Sequence, residues 1–197
     1  MPEQSGAAPS TLSIDDRRLV DRLRAGDSEA VGELERRFGH ELRLFCRRML
    51  GSLERAEDVV QDVFCTCCTL APESLPQRSL RGWLYQIARR RCIDVQRKGG
   101  RPPDARARAV RGVQPSMESA VDPLTTPSGK ALKRDRALRV LARLDRLDEE
   151  LRSVVVMHYF QELTREEIAE AIGLTVAGTK ARLARAMSLL RDEDRKS

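Results

Sequence analysis

Aromatic residues are scarce in this chain: Phe, Trp and Tyr make up 4% of its 197 residues. β-branched residues rarely alternate with polar ones, while apolar residues recur at three- and four-residue spacing, so a sheet-based core is excluded and an all-α fold is expected. Long apolar runs are missing as well. None approaches the roughly 20 residues of a membrane span, and Met1–Ser13 has neither the charged start nor the apolar centre of a signal peptide. A soluble, cytoplasmic protein without membrane insertion is expected. Histidine is reduced to His40 and His158, neither with an obvious partner in its local sequence. No G-x-G-x-x-G occurs, and Gly129-Lys130 lacks the upstream glycine of a P-loop. The chain therefore reads as a non-enzyme with no cofactor and no catalytic residues.

The five cysteines are odd in number in a chain without an export signal, which argues for reduced thiols rather than a disulfide framework. In Cys65-Thr66-Cys67-Cys68, Cys65 and Cys68 are one helical turn apart, and Cys46 belongs to an adjacent helix. Cys46 and Cys67 fall on apolar stripes, however, and paired C-x-x-C motifs are absent. Buried packing is favoured over a metal site or thiol switch, and no bound metal is expected.

Charge is present, and its placement says more than its net value of +6. Residues 1–77 carry ten Lys/Arg against fourteen Asp/Glu, residues 78–111 carry eleven against two, and residues 112–197 carry fifteen against fourteen. A basic block this concentrated suits a polyanion, since phosphate neutralisation is the main sequence-independent source of nucleic-acid affinity. The acidic first third would repel DNA and is expected to meet protein or solvent.

Residues 1–13, rich in Pro, Ser, Gly and Ala, are expected to be a disordered lead-in. A short amphipathic helix over Ile14–Ala25 ends at Gly26, and Asp27 caps a longer helix reaching Leu50. A third helix from Leu53 turns Ala56, Val60, Val63, Phe64 and Cys67 inward, with Glu57, Asp58, Gln61 and Asp62 outward. Leu70–Arg78, broken by Pro72 and Pro76, is a loop. Ser79 starts a fourth helix whose apolar side is Leu80, Trp83, Leu84, Ile87 and Val95, with Arg89, Arg90, Arg91, Arg97 and Lys98 crowding the rest. Trp83 sits on the apolar side and is expected to be core.

Residues 99–129, punctuated by five prolines, read as a linker dividing two domains, 14–98 and 130–197. The second domain is expected to hold helices over Lys130–Leu147 and Glu149–Phe160. It closes with LTREEIAEAIGLTVAGTKARLARAMSLL, from Leu163 to Leu190. There Thr164 and Glu167 form a capping box, and Gly173 supplies the positive φ of a tight turn. Leu174 is placed to plug the corner, and Thr175 caps a second helix carrying Lys180, Arg182 and Arg185. Two short helices joined by a Gly-containing turn, the second basic, describe a DNA-binding helix-turn-helix. The plainer alternative is a helical hairpin with a solvated basic face.

Taken together, Ala56-Glu57-Asp58-Val59-Val60-Gln61-Asp62-Val63-Phe64, Trp83-Leu84-Tyr85-Gln86-Ile87-Ala88-Arg89, Leu163-Thr164-Arg165-Glu166-Glu167-Ile168-Ala169 and Lys180-Ala181-Arg182-Leu183 make the chain resemble the extracytoplasmic-function sigma factors of the sigma-70 family. The resemblance runs from about Asp15 to Arg191. It implies a sigma region 2 domain, a flexible basic linker and a sigma region 4 domain, acting with core RNA polymerase in promoter-specific initiation and assisting DNA melting. It places core-polymerase binding on Asp58, Gln61, Asp62 and Phe64, against the β′ clamp, with the β flap as a further contact. It places minus-10 DNA on the loop and basic helix, with Ser74 and Ser79 lining a pocket for an extruded base. Arg81, Arg89, Arg90, Arg91, Arg97 and Lys98 would hold the phosphates of the opened strand. Minus-35 DNA falls to Thr175, Lys180, Ala181, Arg182, Ala184 and Arg185. An anti-sigma factor is a further implied partner.

Some positions depart from the family. Ala177-Gly178-Thr179 puts a glycine in the first turn of the second helix and a threonine at a normally buried position, so a late start or loose packing is expected there. Arg90 stands where Asn is common, and Cys68 and Leu80 stand where aromatics are. The competing reading is a stand-alone helix-turn-helix regulator whose first domain senses through its thiols or a metal.

Overall fold

The computed structural model of the chain describes residues 12–98, 144 and 146–194, with side chains to Arg191. The expected linker lies outside these residues, as do nearly all of the lead-in and of the helix over Lys130–Leu147. The fold is all-α, and among the described residues there is no strand.

Local chemistry starts and stops each helix. Ser13 Oγ accepts from Asp16 N to open α1 (Ile14–Arg24). The Asp27 carboxylate accepts from Glu29 N to open α2 (Ser28–Leu50), which ends on Gly51 at φ 69. Ser52 opens α3 (Leu53–Thr69) by accepting from Arg55 N. After a single 3₁₀ turn at Pro72–Ser74, Ser79 Oγ accepts from Gly82 N at 2.9 Å and starts α4 (Leu80–Lys98). Asp148 opens α5 (Glu149–Tyr159), the Thr164–Glu167 capping box opens α6 (Arg165–Ile172), and Thr175 Oγ1 accepts from Gly178 N as α7 (Val176–Asp194) begins. Each such side-chain cap is worth about 1 kcal/mol.

α2 and α3 pack most extensively, with α4 across them and α1 against α2. In the other half α5 lies between α2 and α7, and α6 packs on α4. The two halves are thus in contact. Their buried apolar side chains form one continuous cluster, and α4 meets α6 more extensively than it meets α2 or α3. Helix α5 is buried through seven consecutive residues, Leu151–Met157. Arg152 lies among them at 2% exposure, its guanidinium donating to the carbonyl oxygens of Leu144, Leu147 and Met49.

Trp83 is core, 5% exposed, and its indole N–H donates to the Ser74 carbonyl at 3.1 Å, tethering the loop before α4. Leu174 does not plug the corner: it is 39% exposed, and the turn is closed by its own backbone N–H bonding to the Ala169 carbonyl. The Ala177-Gly178-Thr179 segment neither delays nor loosens α7. The helix runs from Val176, and buried Thr179 satisfies its hydroxyl on the Thr175 carbonyl at 3.1 Å. A Cβ at Gly178 would meet only ordinary contacts, 3.4 Å from Thr175 Oγ1 and 3.5 Å from Leu174. Gly178→Ala is therefore expected to raise stability by about 0.5–1 kcal/mol, read as a higher urea midpoint.

Cys46, Cys67 and Cys92 are buried, and Cys65 and Cys68 are exposed. Burial pushes the Cys67 thiol up to about 12. Burial, with a hydrogen bond to Cys46, pushes Cys92 well above its ordinary value. A thiolate-selective reagent at neutral pH is expected to modify two thiols of the folded chain quickly and the remaining three only after denaturation. Among the described residues no cluster of three or more His, Cys, Asp or Glu side chains is placed to hold a metal ion.

Candidate nucleic-acid interface

Three surfaces carry the candidate residues. On α3, Asp58, Gln61 and Asp62 are exposed and recur at three- and four-residue spacing, so they share one outward face. Phe64 does not join them. It is 6% exposed and packs in the core, because it shares the inward stripe with Val60, Val63 and Cys67. The face offered to a partner is polar and acidic, without an aromatic.

The loop and α4 form the second surface. Arg90, Arg91, Arg97 and Lys98 are exposed, with Arg91 donating to Thr66 Oγ1 at 3.3 Å. Ser74 is exposed, but its carbonyl is taken by Trp83. Ser79 is 9% exposed and spends its hydroxyl on capping α4, so it does not line an open pocket. Arg81 is half-buried and Arg89 is buried, and both are held by partners within the fold. Arg81 Nη2 donates to Glu41 Oε2 and to the Gln161 carbonyl, each at 2.7 Å. Burial works against the Arg81 charge, but the hydrogen bond and charge of Glu41 outweigh it and hold the guanidinium above its ordinary value. Arg89, 7% exposed, donates through Nε to Ser153 Oγ at 3.0 Å and through Nη2 to Glu150.

The third surface is the outer face of α7. Thr175, Lys180, Ala181, Ala184 and Arg185 are all exposed, with Lys180 and Arg185 flanking the two alanines. Thr179, Leu183 and Ala186 are buried on the opposite side. Arg182 leaves the exposed set, since its Nη1 donates to Glu150 Oε2 at 2.9 Å. A helix whose outer face combines small residues with two cations can enter a major groove, with bidentate contacts to guanine worth about 1–3 kcal/mol each.

Two family profiles match this chain in order: sigma-70 region 2 over residues 34–101, and sigma-70 region 4 over residues 137–190. The chain belongs to the sigma-70 family, as an extracytoplasmic-function sigma factor. Among the relatives of this sigma factor, SigW of Bacillus subtilis is 25% identical across 90% of this chain and 95% of its own length. SigG of Mycobacterium tuberculosis is 29% identical over 93% of this chain and 56% of its own length. A solved structure of CnrH in complex with the cytosolic domain of CnrY superposes with a TM-score of 0.62 at 25% identity, covering 92% of this chain and 99% of that one. The region 2 match thus begins inside α2 and runs through α3 and α4, and the region 4 match takes in α5, α6 and α7 as far as Leu190. No helix among the described residues is long and apolar enough to cross a membrane.

Sequence reasoning missed Glu150, Gln161 and Glu167 as partners of the basic residues. All three are polar residues on or beside the second half's helices, and nothing in periodicity distinguishes them from solvated positions.

Proposed function

We propose that this sigma factor divides its work among the three surfaces. The acidic outer face of α3, Asp58, Gln61 and Asp62, docks on core RNA polymerase. Arg90, Arg91, Arg97 and Lys98 grip the opened minus-10 strand, joined by Arg81 and Arg89 when these are released. Lys180, Ala181, Ala184 and Arg185 enter the major groove of the minus-35 element. The observation that carries this reading is the pair of exposed basic surfaces, one in each matched region, beside an acidic helix face that would repel DNA and so suits a protein. The factor acts in the cytoplasm, where polymerase and promoter are, and its family has no catalytic chemistry of its own. A protein partner follows by analogy from CnrH, which was solved in complex with the cytosolic domain of CnrY, and the family resemblance makes that partner an anti-sigma factor.

The test is gel filtration of the chain with purified core polymerase, alongside binding of the free chain to DNA. Co-migration with core at near-stoichiometric ratio supports the reading. Tight operator binding by the free chain, with no core association, supports a stand-alone regulator instead.

A further inference from the structure

The cysteine run near the end of α3 divides in the structure. Cys67 is buried on the inward stripe, whereas Cys65 and Cys68 are exposed. Asp58, Gln61, Asp62 and Cys65 recur at three- and four-residue spacing, and Cys68 follows Cys65 by three, so the two thiols prolong the acidic face of α3. The same turn touches the basic surface of α4. Between the two cysteines lies Thr66, whose hydroxyl donates to the Asp62 carbonyl at 2.7 Å and accepts from Arg91 Nη2 at 3.3 Å. The helix stops one residue beyond Cys68, at Thr69, and the Thr69 hydroxyl lies 3.4 Å from the Cys65 carbonyl and 3.2 Å from the Thr66 carbonyl. Threonine hydroxyls turned back onto carbonyls of the preceding turn bend a helix and slightly weaken it. Helix ends also fray, so the turn that carries both thiols yields more readily than the middle of α3.

We infer that Cys65 and Cys68 are a modification site, a dithiol that a low-molecular-weight disulfide oxidises to an intrahelical disulfide, and that this closure weakens docking on core polymerase. The effect on docking rests on the reading of the α3 face as the polymerase surface. Cα atoms three residues apart in an α-helix are about 5 Å apart, inside the span of about 4.4–6.8 Å that disulfides use. Their Cβ atoms, about 5–6 Å apart, must close to about 3.5–4.5 Å, a movement that an end turn can make. Closure therefore pulls on Thr66, and through it on the backbone of Asp62 and the side chain of Arg91. The chemistry is a double exchange. One thiolate attacks a sulfur of the small disulfide RSSR, forming a mixed disulfide and expelling RS⁻. The second thiolate attacks the protein sulfur of that mixed disulfide and expels the other RS⁻. The protons given up by the two cysteines pass to the two leaving thiolates, so the dithiol is oxidised by two electrons and RSSR is reduced to two RSH. The second attack is intramolecular, which favours it over capture of another RSSR. Strained or exposed disulfides are the labile ones, so the step is reversible by thiols. Cys46, Cys67 and Cys92 are buried and do not compete.

The full chain is equilibrated with glutathione disulfide and desalted. Its intact mass and its retention on immobilised core polymerase are then measured, before and after treatment with dithiothreitol. The wild type is expected to lose two hydrogens and carry no adduct, while Cys68→Ser instead carries one glutathione, on Cys65. Retention of the oxidised wild type is expected to fall roughly fivefold or more and to recover with dithiothreitol. In the Cys65→Ser/Cys68→Ser chain the reagent is expected to leave retention at that chain's own reduced level. The inference is overturned if the wild type takes up glutathione on both cysteines without bridging them, or is not modified at all. It is equally overturned if the bridged chain is retained like the reduced one, or if the double variant responds to the reagent as the wild type does. Retention of the reduced wild type separates the two failures. Where it is present alongside any of these results, the dithiol site alone is lost; where it is absent, the docking reading falls and the inference with it.

Discussion

Reversing both carboxylates on the outer face of α3, as Asp58→Lys with Asp62→Lys, is expected to lower promoter-directed transcription by core polymerase roughly a hundredfold. Like charges brought together in an interface cost several kcal/mol, and each 1.4 kcal/mol is about tenfold. Both side chains are exposed on a helix whose opposite stripe, Val60, Val63 and Phe64, is buried. The change therefore touches the face and spares the fold, and stability is expected to stay within about 0.5 kcal/mol of wild type. Retention on immobilised core polymerase is the direct readout. Undiminished retention would move the docking surface off α3.

Arg152→Ala is expected to cost on the order of 3 kcal/mol of stability, since leaving buried acceptors without a donor costs about 1–3 kcal/mol each. The guanidinium donates to the Leu144 carbonyl at 3.0 Å and the Leu147 carbonyl at 3.1 Å, holding the turn that leads into α5, and reaches the Met49 carbonyl at the end of α2 at 3.4 Å. Met49 keeps a second donor in Gln96, so most of the loss falls on the turn. Arg152→Lys keeps the charge but lacks the planar fork that reaches three separate oxygens, and is expected to recover less than half of the loss. Urea unfolding of the full chain measures both. An unchanged midpoint for Arg152→Ala would show that the turn finds other donors.

Helix ends were legible because they depend on residues close in sequence. The Thr164–Glu167 capping box, the Asp27 cap and the left-handed Gly173 each follow from a side chain and a backbone group a few positions apart. Trp83 in the core followed from its place on an apolar stripe. What could not be read was decided by contacts between distant segments. Arg152 and Ser153 sit in a helix buried all round, where polar residues break the periodic signal that would mark burial. Phe64 is not of this kind: periodicity turned it inward with Val60, Val63 and Cys67, as found, and only the resemblance set it with the outward-facing charged residues of its motif. The contact between the two halves is the largest omission, and on α4 it falls on Gly82, Tyr85, Gln86 and Arg89, which have no common chemistry and leave no hydrophobic pattern there. Basic residues that looked equivalent on α4 thereby divide into Arg81 and Arg89, held by acidic partners of the fold, and Arg90, Arg91, Arg97 and Lys98, left exposed.

The central claim is that this chain directs core RNA polymerase to promoters through the surfaces of α3, α4 and α7. Run-off transcription by purified core polymerase on fragments of the source genome, with and without the chain and with 5′ ends mapped, tests it most directly. The account predicts discrete start sites that require the chain and share paired minus-35 and minus-10 elements, and that disappear with Asp58→Lys/Asp62→Lys. Start sites that are the same with and without the chain, or no start at all from fragments the free chain binds tightly, would contradict it.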